Sequence, residues 1–164
     1  MNKENRMQEN MTKQIIETMT DKKLKLSTAE SFTGGSLVYS FIEVPGASEV
    51  IDRSFVVYSD QAKNELLKVS KSSLEKYSAV SDIVARQMAD GLYKSTGSDI
   101  CISTTGYAGS FNEVRKPEDG HIFFCILYKG EKKVFEHKLA GNRDQVISHA
   151  RLLIYKELIK ILDA

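Results

Sequence analysis

The spacing of apolar residues along the first part of the chain alternates between helical and strand-like segments. In residues 11–22 apolar positions recur at helical spacing on an otherwise charged segment, which predicts an amphipathic helix. A short, partly apolar stretch over 24–29 ends in a glycine-containing turn, and helical spacing resumes over 37–42. This order predicts a strand, a tight turn and a second helix.

The middle of the chain repeats the alternation. Residues 50–59 have the β-branched and aromatic content of a buried strand. Helices are predicted over 61–69 and over 82–95, the second with Ser81 as its N-cap. Residues 99–105 predict a further strand, which ends in small residues.

The last third of the chain predicts a hairpin and a long helix. Residues 121–128 and 133–139 flank a short polar connection and predict antiparallel strands, while an apolar stripe runs from Asp144 onward. The irregular segment 110–120 is long enough to be a lid over a site. Together these elements predict an α/β protein, a three-layer α/β/α sandwich with a mixed sheet of about five strands.

Length and charge limit what the chain can be. Its 164 residues suit one domain, and the polar residues 1–10 are expected to be a flexible N-terminus before a single domain over 11–164. A net charge of +1 gives no field that would recruit nucleic acid or a membrane surface, so any phosphate must be held locally. Neither a signal sequence nor a membrane span is visible, which predicts a cytoplasmic protein.

Cysteines and histidines suggest no metal or redox site. Cys101 and Cys125 lie in apolar runs and are predicted to be buried, reduced core residues. His121, His137 and His149 are far apart and have no visible acidic partner, so we expect them to be structural or exposed. With no ligand cluster, we expect no metal and no cofactor.

Ser31 lies at the first predicted turn from strand to helix, followed by Thr33, Gly34 and Gly35. Amides at the N-terminus of a helix carry partial positive charge and can bind an anion or stabilise an oxyanion. Glycines there let a ligand approach the backbone closely. The alternative is that Ser31 and Thr33 only cap the helix.

Lys63 follows the next predicted strand, and open α/β sheets bind ligands at the carboxyl ends of their strands. It could instead be a solvated surface lysine, because a lysine base requires desolvation to lower its pKa. The strand ending at residues 104–109 could line the same cleft, although no dinucleotide fingerprint or phosphate loop is present. Arg143 could reach a phosphate or lie on the surface. Without a histidine base, a serine paired with a lysine remains as an amide-hydrolysing arrangement.

Six blocks, in order along the chain, resemble the CinA carboxy-terminal family, and the resemblance extends over roughly residues 14–162. The family motifs are A-E-S-C-T-G-G, V-P-G-A-S, Y-S-N-x-A-K-x-x-L-L, A-V-S, T-G-I-A-G and G-D-R. They are similar here to residues 28–35, 44–48, 58–67, 79–81, 105–109 and 141–143.

The resemblance implies the same sandwich fold, a homodimer or higher homo-oligomer, and conversion of nicotinamide mononucleotide to nicotinate mononucleotide and ammonia in pyridine nucleotide recycling. It implies that Ser31 is the nucleophile and Lys63 its base, with Tyr58 assisting, and that amides near Gly34 hold the oxyanion. The substrate contacts it implies are Thr33, Gly34, Gly35, Thr105, Gly106 and, on the phosphate side, Arg143.

The chain departs from the family pattern at several places. Phe32 stands where the family commonly has Cys, and residues 110–115 are bulkier and more charged than the usual run. Asn142 replaces Asp, and Ile147 stands where a second Arg is common. Arg115 or Lys116 could therefore take over phosphate binding.

Two other functions stay open on the sequence alone. The altered 110–120 segment favours a regulatory module that binds a nucleotide without hydrolysing it. The family's link to competence suggests a partner-binding subunit in a DNA-uptake or damage pathway, although the near-neutral charge gives that reading no direct support.

Overall fold

The computed structural model describes residues 3–109 and 115–164, and their helices and strands follow the predicted alternation. In chain order the elements are α1 (Lys3–Asp21), β1 (Leu26–Glu30), α2 (Ser36–Ile42), a 3-10 turn (Ala47–Glu49), β2 (Ile51–Val56), α3 (Asp60–Leu67), α4 (Lys71–Tyr77), α5 (Asp82–Thr96), β3 (Ile100–Gly106), β4 (His121–Tyr128), β5 (Glu131–Lys138) and α6 (Arg143–Asp163).

The strands form one mixed sheet in the order β2-β1-β3-β4-β5. Strand β1 runs parallel to β2 and β3, whereas β4 is antiparallel to both β3 and β5. The carboxyl ends of β1, β2 and β3 therefore meet at one edge. The hairpin turn is Lys129–Gly130, with φ of 51° and 79°, so β5 begins at Glu131, earlier than the predicted 133.

Helices cover both faces of the sheet, which confirms the three layers. Residues of α1, α2 and α6 form one core, and residues of α3 and α5 form the other. Side chains of β4 alternate between these cores, with Phe124 in the first and Cys125 in the second, because successive strand residues point to opposite faces. Cys101 also lies in the second core. Burial raises the pKa of Cys101 to about 11 and that of Cys125 to about 12, in keeping with their predicted place in the core.

The structure differs from the sequence analysis in three places. Strand β2 is mostly exposed, and it ends at Val56, because it lies at the edge of the sheet. The expected flexible N-terminus is helical from Lys3, and buried Gln8 donates a hydrogen bond to Ser148 Oγ at 2.8 Å. Helix α4 was not predicted at all.

Helices α3 and α5 approach each other at the backbone. A Cβ at Gly91 of α5 would lie 1.8 Å from the carbonyl oxygen of Leu67 in α3, so only glycine permits this distance. The contact matters for the site because α3 also carries Lys63. Within the described ranges, no helix is long and apolar enough to cross a membrane.

Candidate functional site

A cavity of about 370 Å³ opens where β1, β2 and β3 end. Ser31 follows β1 directly, Tyr58 and Lys63 follow β2, and Gly106 closes β3. The predicted meeting of three strand ends around one cleft is therefore confirmed. The lining also includes Phe32, Asp60, Ala79, Val80, Thr105, Tyr107, Ala108, Gly109, Lys116, Glu118, Asp119 and Arg143.

Ser31 and Lys63 are in direct contact at the base of this cavity. The Lys63 Nζ lies 3.1 Å from Ser31 Oγ, 3.0 Å from the carbonyl oxygen of Val57 and 3.4 Å from that of Tyr58. Lys63 is 1% exposed, so it is not the solvated surface residue of the alternative interpretation. Ser59 fixes the start of α3 by accepting a hydrogen bond from the N–H of Ala62.

The surroundings of Lys63 favour its neutral form. Burial lowers the pKa of the Lys63 ammonium below its ordinary value, and the negative charge of Asp60 opposes part of that change. A neutral amine has two N–H donors and one lone pair. Two carbonyl oxygens are available for the donors, which leaves the lone pair for the hydroxyl proton of Ser31.

Glu30, the residue before Ser31, occupies the N-terminus of α2. Its side chain is fully buried, and no ion pair joins it to a cation in the described chain. Its carboxylate accepts hydrogen bonds from the amides of Gly35 (2.9 Å), Leu37 (3.1 Å) and Val38 (2.8 Å) and from the Thr28 hydroxyl (3.1 Å). The chain thus supplies its own anion at this helix end.

The amides of Gly34 and Gly35 themselves are therefore already engaged and are not available to hold an oxyanion. The Gly34 N–H donates to the carbonyl oxygen of Ser31 at 3.0 Å, and the Gly35 N–H donates to Glu30. The glycines are required instead by the turn, since their φ values are 60° and 92°. The amides of Phe32 and Thr33 donate no hydrogen bond within residues 3–109 and 115–164, and of these two residues Phe32 lines the cavity.

The capping alternative for Ser31 and Thr33 is also wrong. The N-cap residue of α2 is Gly35, and the helix has no hydrogen bond from an N-cap side chain. The buried Thr33 hydroxyl pairs with that of Thr104 at 2.8 Å, and Thr33 does not line the cavity.

Of the other predicted substrate contacts, Thr105, Gly106 and Arg143 line the cavity, whereas Gly34 and Gly35 do not. The Thr105 hydroxyl donates to the carbonyl oxygen of Ala79 at 2.7 Å, which leaves its oxygen as an acceptor. A Cβ at Gly106 would lie 2.6 Å from Ile122 Cγ2, so glycine is needed here for strand packing. Arg143 Nη2 donates to the carbonyl oxygen of Gly109 at 2.6 Å, beside the cavity.

Of the two substitute phosphate ligands, Lys116 lines the cavity and Arg115 does not. The Arg115 guanidinium is engaged with the carbonyl oxygens of Asp119, Leu139 and Gly141. Asn142 caps α6 by accepting from the N–H of Gln145 at 3.0 Å, a structural role. Residues 110–114 of the expected lid lie outside the described residues.

The histidines have partners that the sequence did not reveal. His121 Nε2 lies 2.7 Å from Glu136 across the hairpin, and His149 lies 3.8 Å from Glu4, so the prediction of no acidic partner is wrong for both. No histidine lines the described part of the cavity. The described residues also contain no group of three metal-ligating side chains.

Sequence reasoning did not select Glu30, Asp60 or Tyr107 as site residues. A charged residue ending an apolar strand was the available signal for Glu30, since such a side chain must find partners when it is buried. For Asp60 the signal was its position three residues before Lys63, which places both on one face of a helix.

The family model and a curated relative that this chain matches both carry the CinA description. The sequence-family model described as the CinA C-terminal domain matches residues 8–162 of this chain. A CinA-like protein of Fusobacterium nucleatum is 45% identical over 142 residues, which make up 87% of this chain and 34% of that protein. The chain therefore spans about a third of the length of that curated relative.

Solved structures match over nearly their whole length. A CinA superfamily protein of Escherichia coli is 32% identical with a TM-score of 0.88, covering 94% of this chain and 90% of that one. A competence or damage-inducible protein of Enterobacter asburiae is 31% identical with a TM-score of 0.89, covering 94% and 98%.

Proposed function

Because the chain belongs to the CinA C-terminal domain family, we propose that it is an amidase that hydrolyses nicotinamide mononucleotide to nicotinate mononucleotide and ammonia. The observation that carries this proposal is the 3.1 Å contact between Ser31 Oγ and the buried Nζ of Lys63. A desolvated amine touching a hydroxyl is the arrangement that activates serine without histidine.

In the first half of the reaction, neutral Lys63 takes the hydroxyl proton of Ser31 as Oγ attacks the carboxamide carbon. The carbonyl oxygen becomes an oxyanion, for which the amide of the lining residue Phe32 is the donor nearest to Ser31 along the chain. Lys63 then gives its proton to the departing nitrogen. Ammonia leaves, and an ester joins Ser31 to the nicotinoyl group.

In the second half, water attacks the ester carbon. Lys63 accepts a proton from the water and returns it to Ser31 Oγ as the C–O bond breaks, so the enzyme regains its starting state. The carbonyl oxygens of Val57 and Tyr58 hold Lys63 in place in both halves. This gives Tyr58 an assisting role through its backbone.

The cavity is large enough for a mononucleotide, and it carries cations that could meet a phosphate. Pockets for such ligands begin near 300 Å³, and this one is about 370 Å³. Arg143 and Lys116 are its cationic side chains for a phosphate once Lys63 is neutral. Thr105 and Gly106 would face the nucleotide.

The test is ammonia release from nicotinamide mononucleotide by the purified chain. We expect Ser31→Ala and Lys63→Ala each to lower kcat by at least about a thousandfold. Ser72→Ala and Lys71→Ala, exposed and outside the cavity, are matched controls that should retain full activity. Circular dichroism checks that every variant is folded.

The rival binding module is favoured by the altered segment 110–120, and the same proteins test it. No ammonia release, combined with thermal stabilisation by the nucleotide that survives Ser31→Ala, would replace the amidase with a non-hydrolysing module. Full activity in Ser31→Ala would exclude the proposed nucleophile.

A further inference from the structure

Asp60 is an unpaired carboxylate beside the reacting pair. It is the first residue of α3, it is exposed, and it lines the cavity together with Ser31 and Lys63. Its side chain makes no hydrogen bond or ion pair with the described residues. Residues three apart share a helix face, so the carboxylate lies on the same side of α3 as the Lys63 amine.

A neutral Lys63 leaves the carboxylate without a counter-charge on its own helix. The base must lose its proton to act, so during catalysis Asp60 faces an uncharged amine. A negative charge left in this position attracts any cation that enters the cavity near Ser31. The reacting carboxamide must contact Ser31, and the ring that bears it lies next to it.

The oxidised and reduced states of the nicotinamide ring differ in charge. The oxidised ring is a pyridinium with a full positive charge, whereas the 1,4-dihydro ring is neutral and carries the same carboxamide. The aromatic residues Tyr58 and Tyr107 also line the cavity, and aromatic faces attract cations. Acid and aromatic groups together are therefore suited to a cationic ring.

Among the described lining residues, Glu118 is the other acid whose side chain makes no hydrogen bond or ion pair, but its place in the chain is different. It follows Lys116 closely, at the side of the cavity that carries a cation for the phosphate. Only Asp60 shares an element with the base. Resting on the proposed function, we propose that Asp60 is the residue that selects nucleotides with a positively charged pyridinium ring over nucleotides with the neutral reduced ring.

The experiment measures binding, so that it does not depend on turnover. Calorimetry gives the dissociation constants of oxidised and 1,4-dihydro nicotinamide mononucleotide for the full chain carrying Ser31→Ala. We expect the oxidised form to bind more tightly, and Asp60→Asn to reduce that preference by about tenfold. Asp82→Asn is the matched control, because Asp82 also begins a helix after a serine cap but does not line the cavity.

An equal preference in Asp60→Asn and its parent would overturn the proposal. So would a loss of preference in Glu118→Gln alone, the absence of any preference, or the failure of the oxidised nucleotide to bind. Ammonia release by the unmutated chain is measured separately. If binding is selective and depends on Asp60 but the unmutated chain releases no ammonia, the amidase proposal fails and the role of Asp60 in ring selection stands.

Discussion

Glu30 shows how a single side chain fixes the shape of the nucleophile turn. Its carboxylate accepts hydrogen bonds from the backbone amides of residues 35, 37 and 38, in the first turn of α2. Glu30 also directly precedes Ser31 in the chain. Buried carboxylates are costly unless hydrogen bonds compensate them. Here the compensation comes from amides that would otherwise be unsatisfied at the start of α2.

We predict that Glu30→Gln destabilises the fold and disturbs the site. The glutamine amide places a donor where Val38 N–H or Gly35 N–H needs an acceptor, so the free energy of unfolding should fall by about 1–3 kcal/mol. Urea denaturation measures this change, and kcat should fall with it because Ser31 moves. Glu43→Gln, at the C-cap of α2, is the control. Unchanged stability and kcat in Glu30→Gln would contradict the positioning role.

We predict that the burial of Lys63 makes the free energy of unfolding depend on pH. Burial lowers its pKa in the folded chain below 10.5, so between the two pKa values the unfolded chain binds a proton that the folded chain lacks. The free energy of unfolding should therefore rise with pH in this interval, and below it the penalty is complete. Lys63→Met removes the penalty.

The stability of Lys63→Met relative to the unmutated chain should accordingly be most favourable below the folded pKa of Lys63 and should decline as pH rises towards 10.5. Urea denaturation over a series of pH values gives the difference. Lys71→Met, at an exposed position, should show no such trend. A difference independent of pH would mean that Lys63 keeps its proton in the folded protein.

At the scale of single residues, the sequence identified the site residues better than it identified their hydrogen-bond and ion-pair partners. The family resemblance selected Ser31 and Lys63, which the fold brings into contact. It could not show that Glu30 takes the amides assigned to an oxyanion, because that depends on the geometry of one turn. The partner of His121 was hidden for a similar reason, since Glu136 becomes its neighbour only through hairpin pairing.

At the scale of elements, local patterns located the long helices and the strands but not their exposure. Strand β2 has the same β-branched and aromatic content as a central strand, yet it lies at the edge of the sheet. Strand order depends on long-range pairing that composition does not encode. Helix α4 is only seven residues long, too short for a clear helical period.

The contact between α3 and α5 yields a prediction at this scale. Gly91→Ala should raise the helix propensity of α5 yet lower the free energy of unfolding by about 2 kcal/mol, because the new Cβ collides with the Leu67 carbonyl. Activity should also fall, since α3 must shift and carries Lys63. Thermal unfolding of Gly91→Ala and of Ser95→Ala, an exposed control on the same helix, measures the effect. Equal stability of the two variants would show that the helices separate without cost.

For the molecule as a whole, the boundary of the folded unit was the least predictable feature. Residues 1–10 lack an apolar stripe, but helix α1 lies along α6, and its polar residues bond to that helix. Gln8 bonds to Ser148 and Arg151, and Glu4 also bonds to Ser148. Polar contacts between distant segments leave no periodic signal in a sequence. Homo-oligomerisation stays a prediction of the family resemblance.

A chain shortened to begin at Met11 should therefore be less stable while keeping its chemistry. Loss of the Gln8 and Glu4 contacts should lower the free energy of unfolding by about 1–3 kcal/mol. No residue of α1 lines the described cavity, so kcat and KM for ammonia release should not change well below the melting temperature. Gln8→Ala in the full chain should reproduce part of the loss. If the shortened chain unfolds at the same temperature as the full chain, the first turns of α1 contribute nothing to the stability of the fold. If the shortened chain folds but loses activity, the removed residues act on the site through α6.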